Sequence, residues 1–164
     1  GKKAIGTIHK EYPDMKLMQT ESECGEGENN WKSAEYTWSL INQYFNSGAN
    51  SYLYWNMVLD HTGKSSWGWP QNMLISINKE TKEVIYNPEF YLMKHLSHFV
   101  QPGAHFLATS GGKDHLSFKN PDGTIVLIVA NMENETKKMS IEVDGKMMNA
   151  VVKPKSFNTL TWKP

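Results

Sequence analysis

The sequence has one cysteine, Cys24, and no excess of either charge. A single thiol excludes an internal disulfide framework. Cys24 lies in an acidic stretch with no Lys, Arg or His beside it to activate a thiolate. Lysine plus arginine and aspartate plus glutamate each number 17, so the formal net charge is zero and the pI is near 7.2. That balance argues against an electrostatic footprint for nucleic acid or an anionic surface. No apolar run approaches the ~20 residues of a membrane-spanning helix, so no stable membrane insertion is expected, and there is no signal-peptide pattern at the start. What is present is a 164-residue chain with six Trp, seven Tyr and six Phe. It is long enough for one well-filled core, with flat aromatic surface suited either to that core or to a cleft. Its opening, Gly1-Lys2-Lys3-Ala4, enters a helical pattern with no cap, as the interior of a longer protein would.

Ala4, Ile5, Ile8 and Tyr12 recur at helical spacing up to Pro13-Asp14. Lys16–Thr20 reads as a short buried strand, followed by the acid-bearing stretch Glu21-Ser22-Glu23-Cys24-Gly25. A loop to Asn30 follows, with Asn29 or Asn30 as N-cap of a helix from Trp31 to Ser47. Ser51–Leu59 reads as a second strand, apolar on both faces. Asp60–Asn72 is a long loop with Trp67 and Trp69; Met73–Asn78 and Glu83–Tyr86 can pair as a hairpin. Pro88 opens a third helix, reaching Phe99. After Gln101-Pro102-Gly103 the period becomes alternating, with strands at 104–110, 115–119, 124–131, 138–143, 147–153 and 158–162. Asn120-Pro121-Asp122-Gly123 and Asp144-Gly145 supply hairpin turns. The fold class is therefore α/β plus all-β, with a boundary near Val100. Residues 1–100 form two strand–helix units of a (β/α)8 barrel, and residues 101–164 an antiparallel β-sandwich. A closed barrel needs eight such units, so this pattern reads as a fragment whose N-terminal part is missing.

Strand, acid-bearing loop and helix in that order present chemistry at a barrel mouth. A solvated loop would look the same. The stretch Lys3-Ala4-Ile5-Gly6-Thr7-Ile8-His9-Lys10-Glu11-Tyr12-Pro13 leading to Thr20-Glu21-Ser22 resembles glycoside hydrolase family 30, the glucosylceramidase-like enzymes. So do Tyr54-Trp55-Asn56, Trp69-Pro70-Gln71-Asn72, Lys94-His95-Leu96-Ser97-His98-Phe99 and Asn120-Pro121-Asp122-Gly123-Thr124. The resemblance covers nearly the whole chain but only the last part of the family's domain. It implies an eight-stranded barrel with an attached sandwich, and retaining hydrolysis of β-glycosidic bonds by two glutamates. Carried over by position, Glu21 is the nucleophile, and the acid/base glutamate, after the fourth strand, is absent from this chain. Trp55 would form an aromatic floor beneath the sugar, Asn72 would meet a sugar hydroxyl, and Trp69 with Trp67 would shape the pocket rim.

Retention needs two carboxyl groups about 5–5.5 Å apart, one attacking the anomeric carbon and one protonating the leaving oxygen. Glu23, two residues on, does not straddle a sugar with Glu21. The family implies no cofactor and no metal; a calcium reading of Glu21, Glu23, Glu26 and Glu28 misses the usual spacing, and His95 with His98 is a packing pair. Met147 and Met148 read as core filler. The expected partners are a carbohydrate or glycolipid (glucosylceramide, a β-1,6-glucan or a xylan-like chain) and the enzyme's missing N-terminal part. A secreted, periplasmic or cell-surface location is implied by the resemblance. The rival reading is a non-catalytic carbohydrate-binding or surface-interaction module that retains the β-tail.

Overall fold

A computed structural model describes residues 2–21 and 25–164. Ser22, Glu23 and Cys24 lie outside the described residues, so nothing structural is said of Glu23 or the thiol. The chain divides into two compact units, Gly1–Leu92 and Met93–Pro164.

In the first unit, helix α1 (Lys2–Glu11) precedes strand β1 (Met18–Gln19), helix α2 (Trp31–Asn46) and strand β2 (Ser51–Tyr52). β1 and β2 pair in parallel, Met18 opposite Ser51 and Gln19 opposite Tyr52. This is one strand–helix–strand turn of an α/β fold. Asn30 caps α2: its side-chain oxygen accepts the Ser33 N–H at 3.0 Å, satisfying an otherwise orphaned donor. Ala34, Trp38, Leu40 and Ile41 are the helix's buried side, and Tyr44 meets Tyr52 of β2 edge-on at 5.9 Å. Gly48 ends the helix at φ 98°, with His9 of α1 against it; an added Cβ would lie 2.3 Å from the imidazole.

The second expected strand is interrupted. β2 stops at Tyr52, and β3 resumes only at Val58–Asp60, in another sheet with β4 (Ile75–Ile77) and β5 (Val84–Tyr86). Between them the backbone is irregular, with a cis Trp55–Asn56 peptide bond. The Asn56 amide donates to Gln71 Oε1 at 2.9 Å, and its carbonyl accepts the Leu74 N–H at 3.1 Å. Beyond Leu53, which still bonds Gln19 of β1, the stretch is bonded to residues 71–75. Nor is it buried on both faces, since Leu53, Trp55 and Met57 are exposed. β4 and β5 form the expected hairpin, Ile75 opposite Tyr86, while β3 joins β4 in parallel. Helix α3 (Pro88–Ser97) follows with Pro88 in its first turn.

The second unit holds a four-stranded antiparallel sheet, ordered β11 (Ser156–Trp162), β8 (Ile125–Asn131), β7 (His115–Lys119), β6 (His105–Leu107). Every residue of β8 is buried, which explains its unbroken apolar run: a strand covered on both faces has no polar alternation. On one face Leu127 and Val129 pack with Leu160 of β11 and with Val152, Met139 and Ile141 from the hairpin of β9 (Lys137–Val143) and β10 (Lys146–Val152). On the other, His95 of α3 meets Thr159 (Nδ1 to Oγ1, 2.7 Å) and the Phe157 ring. The residues of α3 from Met93 onward therefore pack with the strands that follow, and the division by compactness falls inside α3. The β9–β10 turn is Asp144-Gly145 with φ of 49° and 74°, the positive pair that a tight twisted hairpin demands. Met147, read as core filler, is 61% exposed, because alternate residues of this outer strand face solvent; Met139 across the hairpin does pack inward.

Candidate active site

Because β1 and β2 run parallel, their carboxyl ends lie at one edge of the pair. The Leu53 N–H donates to the Gln19 carbonyl at 3.0 Å, carrying the ladder one step further. Glu21 lies two residues past the end of β1, and Trp55 three past the end of β2, in the irregular stretch before β3. Glu21 is exposed, as a carboxylate must be to meet a ligand. Trp55 has 45% of its surface open. Gln19, just before the edge, is buried; its side-chain oxygen accepts the Leu53 N–H at 3.3 Å, and its amide nitrogen is buried without a partner.

The loop from Gly25 to Asn30 is fastened to residues 70–73. Gly27 N–H donates to Asn72 Oδ1 at 2.8 Å, and Met73 N–H to Asn29 Oδ1 at 2.9 Å. Gly25 (φ 65°) and Gly27 (φ 89°) are where the backbone crosses this segment. A Cβ at Gly25 would sit 2.7 Å from the Asn72 carboxamide, and one at Gly27 2.9 Å from Pro70. Only glycine allows both the left-handed backbone and the close approach. A cleft of about 260 Å³ lies along this loop, with Glu26, Glu28, Asn30, Tyr36, Tyr54 and Asn72 in its wall. Of the residues named from sequence, Asn72 lines this cleft, whereas Glu21, Trp55 and Trp69 do not. Asn72 is almost wholly buried, and both ends of its carboxamide are engaged, the oxygen with Gly27 and the nitrogen with Glu89 at 2.9 Å.

The long loop 60–72 is folded, with the Trp69 carbonyl accepting the Ser65 N–H at 2.9 Å and Lys64 bridging Pro70. Trp67 and Trp69 project from it, ring centroids 5.4 Å apart, the latter 54% exposed. Asp60 anchors the base of the loop by pairing with Lys79 and accepting from the Thr62 hydroxyl and N–H, and these contacts hold its carboxyl well below the usual range. Trp31, at the start of α2, directs its indole N–H to Glu35 at 3.0 Å.

Sequence reasoning passed over Glu89. It is fully buried in the first turn of α3, and burial pushes its carboxyl above the usual 4.5 against its own N–H and the Asn72 amide, which lower it. An acid there looks like an ordinary dipole-complementing residue, and that concealed it. Among the described residues no group of three or more His, Cys, Asp or Glu is placed to hold a metal, and no helix is long and apolar enough to cross a membrane.

A parallel strand–helix–strand unit with an acid at its carboxyl edge, followed in sequence by an antiparallel sandwich, is the architecture of a (β/α)-barrel segment with a β-sandwich domain. Residues 1–100 match the glycosyl hydrolase family 30 TIM-barrel domain and residues 103–160 the β-sandwich domain of the same family. The chain belongs to glycosyl hydrolase family 30. It is 30% identical over 140 residues to putative glucosylceramidase 1 of Caenorhabditis elegans, covering 77% of this chain and 27% of that protein. With putative glucosylceramidase 4 of the same organism it shares 28% over 175 residues, 94% of this chain and 33% of the relative. Among solved structures, SrfJ from Salmonella typhimurium superposes with a TM-score of 0.86 at 22% identity, over 99% of this chain and 38% of that one. The endo-β1,6-glucanase BT3312 gives 0.83 at 25% identity, over 100% and 39%. The chain thus spans about a third or less of the length of these curated relatives and about two-fifths of these structures.

Proposed function

We propose that this chain supplies the nucleophile half of a retaining β-glycosidase, with Glu21 attacking the anomeric carbon. The observation that carries this reading is the parallel pairing of β1 and β2 in a family 30 chain, with Glu21 two residues beyond the end of β1 and Trp55 three beyond the end of β2. An ionised carboxylate at a strand end is held more firmly than one at a loop tip. The exposed indole of Trp55 offers the apolar face of a pyranose a surface to stack on. Trp69 would contribute at the rim, and the second amide hydrogen of Asn72 is its remaining means of reaching a hydroxyl.

Attack by Glu21 forms a glycosyl ester as the aglycone oxygen leaves with a proton from the second carboxylic acid; water then cleaves the ester, returning its proton to that group. The acid/base lies in a part of the enzyme outside this chain, so the chain alone does not turn over. The relatives' names favour a β-glucoside, glycolipid or β-glucan, as substrate. A secreted, periplasmic or cell-surface enzyme suits such substrates.

Incubating the full-length protein with a 2-deoxy-2-fluoro β-glucoside bearing a good leaving group, then mapping peptides, tests this. The expected result is a covalent sugar on the peptide containing Glu21, and a Glu21→Gln variant slowed by more than about 10³-fold. A label on another carboxylate, or retained turnover in Glu21→Gln, overturns the assignment.

A further inference from the structure

We propose that Glu89 is a positioning residue: through the Asn72 carboxamide it fixes the loop Gly25–Asn30 that leads into α2. Glu89 has no surface exposure, and a carboxyl group is rarely buried without a purpose that offsets its desolvation. Its Oε1 accepts from Asn72 Nδ2 at 2.9 Å, while its Oε2 is buried with no hydrogen-bond partner. A carboxamide has one accepting and one donating end, and which way it points is decided by its neighbours. The acceptor at Glu89 draws the NH2 group, so the carbonyl oxygen is presented to Gly27 N–H, 2.8 Å away. Without Glu89 the carboxamide loses the partner that orients it, and the Gly27 N–H loses its acceptor.

The clamp has little slack. Gly25 crosses directly over the carboxamide, and Asn29 takes the next backbone donor, Met73 N–H. From the other side, Asn87 secures the same segment, donating to the Met73 carbonyl at 2.9 Å and to Ser76 Oγ at 2.8 Å. The start of α3 thus holds residues 72–76 in place, and residue 72 in turn holds the loop whose near end is four positions after Glu21. An effect on turnover would be indirect; that arm of the proposal rests on the glycosidase reading, whereas the clamp itself does not.

Amide hydrogen exchange at Gly27 in the full-length protein tests the clamp without any assay of activity. In Glu89→Leu and in Asn72→Ala, Gly27 N–H should exchange about tenfold faster, the loss of one hydrogen bond, with Ile75 and Leu92 amides unchanged. Glu89→Gln keeps an acceptor facing Asn72 and should restore slow exchange. Where turnover is measurable, Glu89→Leu should lower kcat with KM held, and Glu89→Gln should recover it. Wild-type exchange at Gly27 in Asn72→Ala, or failure of Glu89→Gln to restore protection, overturns the clamp. Should Glu89→Leu not fold, Asn72→Ala and Glu89→Gln still decide the matter. A wild-type protein without glycosidase activity refutes the functional reading and leaves the exchange result to judge the clamp.

Discussion

The two units are held together by different means. In Met93–Pro164 the framework is a ladder: β8 pairs along its whole length with β11 from Ile125–Trp162 to Asn131–Ser156, and with β7 on its other edge. In Gly1–Leu92 the strands are two or three residues long. There the work falls to asparagine and glutamine side chains that bond distant backbone: Asn50 to Leu17, Asn29 to Met73, Asn72 to Gly27, Asn87 to Met73. Strand residues also differ in cover. β8 is wholly buried, but Met18 of β1, Val58 of β3 and Val84 and Ile85 of β5 are exposed. The sandwich carries its own hydrophobic filling. The barrel segment presents apolar strand residues with nothing of its own upon them, and a two-stranded pair is marginal by itself.

The sharpest break of that comparison is Ile128→Ala. Removing a fully buried branched side chain from the central strand should cost about 2–5 kcal/mol, read as a lower denaturant midpoint by circular dichroism. A loss below ~1 kcal/mol would show that the sandwich does not depend on its ladder core. In the first unit the corresponding lever is a cap. Asn30→Ala removes the acceptor of Ser33 N–H and should cost about 1 kcal/mol, seen as faster amide exchange in the first turn of α2.

Titration separates the units by sign. Asp122, bonded to Thr124 and Lys163 in the β7–β8 turn, is held down at about 2. A depressed carboxyl stabilises above its usual 3.8, and that contribution is lost as pH falls through about 2. Glu89 in the first unit is raised by burial, so the fold favours its protonated form. Its contribution is present below 4.5 and is lost as pH rises through the folded value. Unfolding curves should therefore show wild type losing ground to Glu89→Gln as pH climbs above 4.5, and losing its advantage over Asp122→Asn as pH drops below 3.8. The same direction for both variants would refute one of the two assignments.

These differences also explain what could be read from sequence. β7 to β11 were legible to within a residue or two, because alternation, one continuous apolar run and the turns at 120–123 and 144–145 are all local signals. The helix starts at Trp31 and Pro88 were equally plain, from the Asn29-Asn30 pair, of which Asn30 is the cap, and from the proline itself. The break after Tyr52 was not, because Leu53-Tyr54-Trp55-Asn56-Met57 is as apolar as any strand. What diverts it is bonding to Gln71, Leu74 and Ile75, far along the chain. Glu21 was visible as an acid after a strand, and its strand-end place follows from chain order. The Gly27–Asn72–Glu89 relay was invisible: its members stand 45 and 17 positions apart, and each looks ordinary in its own neighbourhood.

The smallest expected effect bears on what covers the barrel segment. Met57 is 68% exposed, so Met57→Ser in this 164-residue chain removes little contact and should change stability by less than about 0.5 kcal/mol. If the remaining strands of a barrel close over the sheet in the full-length protein, the same side chain loses its exposure there. The substitution should then cost about 1–3 kcal/mol, the worth of a buried apolar side chain. Paired unfolding measurements on the chain and on the full-length protein give the difference directly. Equal and negligible effects in both would mean that the exposed apolar edge at Leu53, Trp55 and Met57 stays open to solvent. In that case Trp55 would lie on an open surface, and the pyranose floor assigned to it would have no pocket above it.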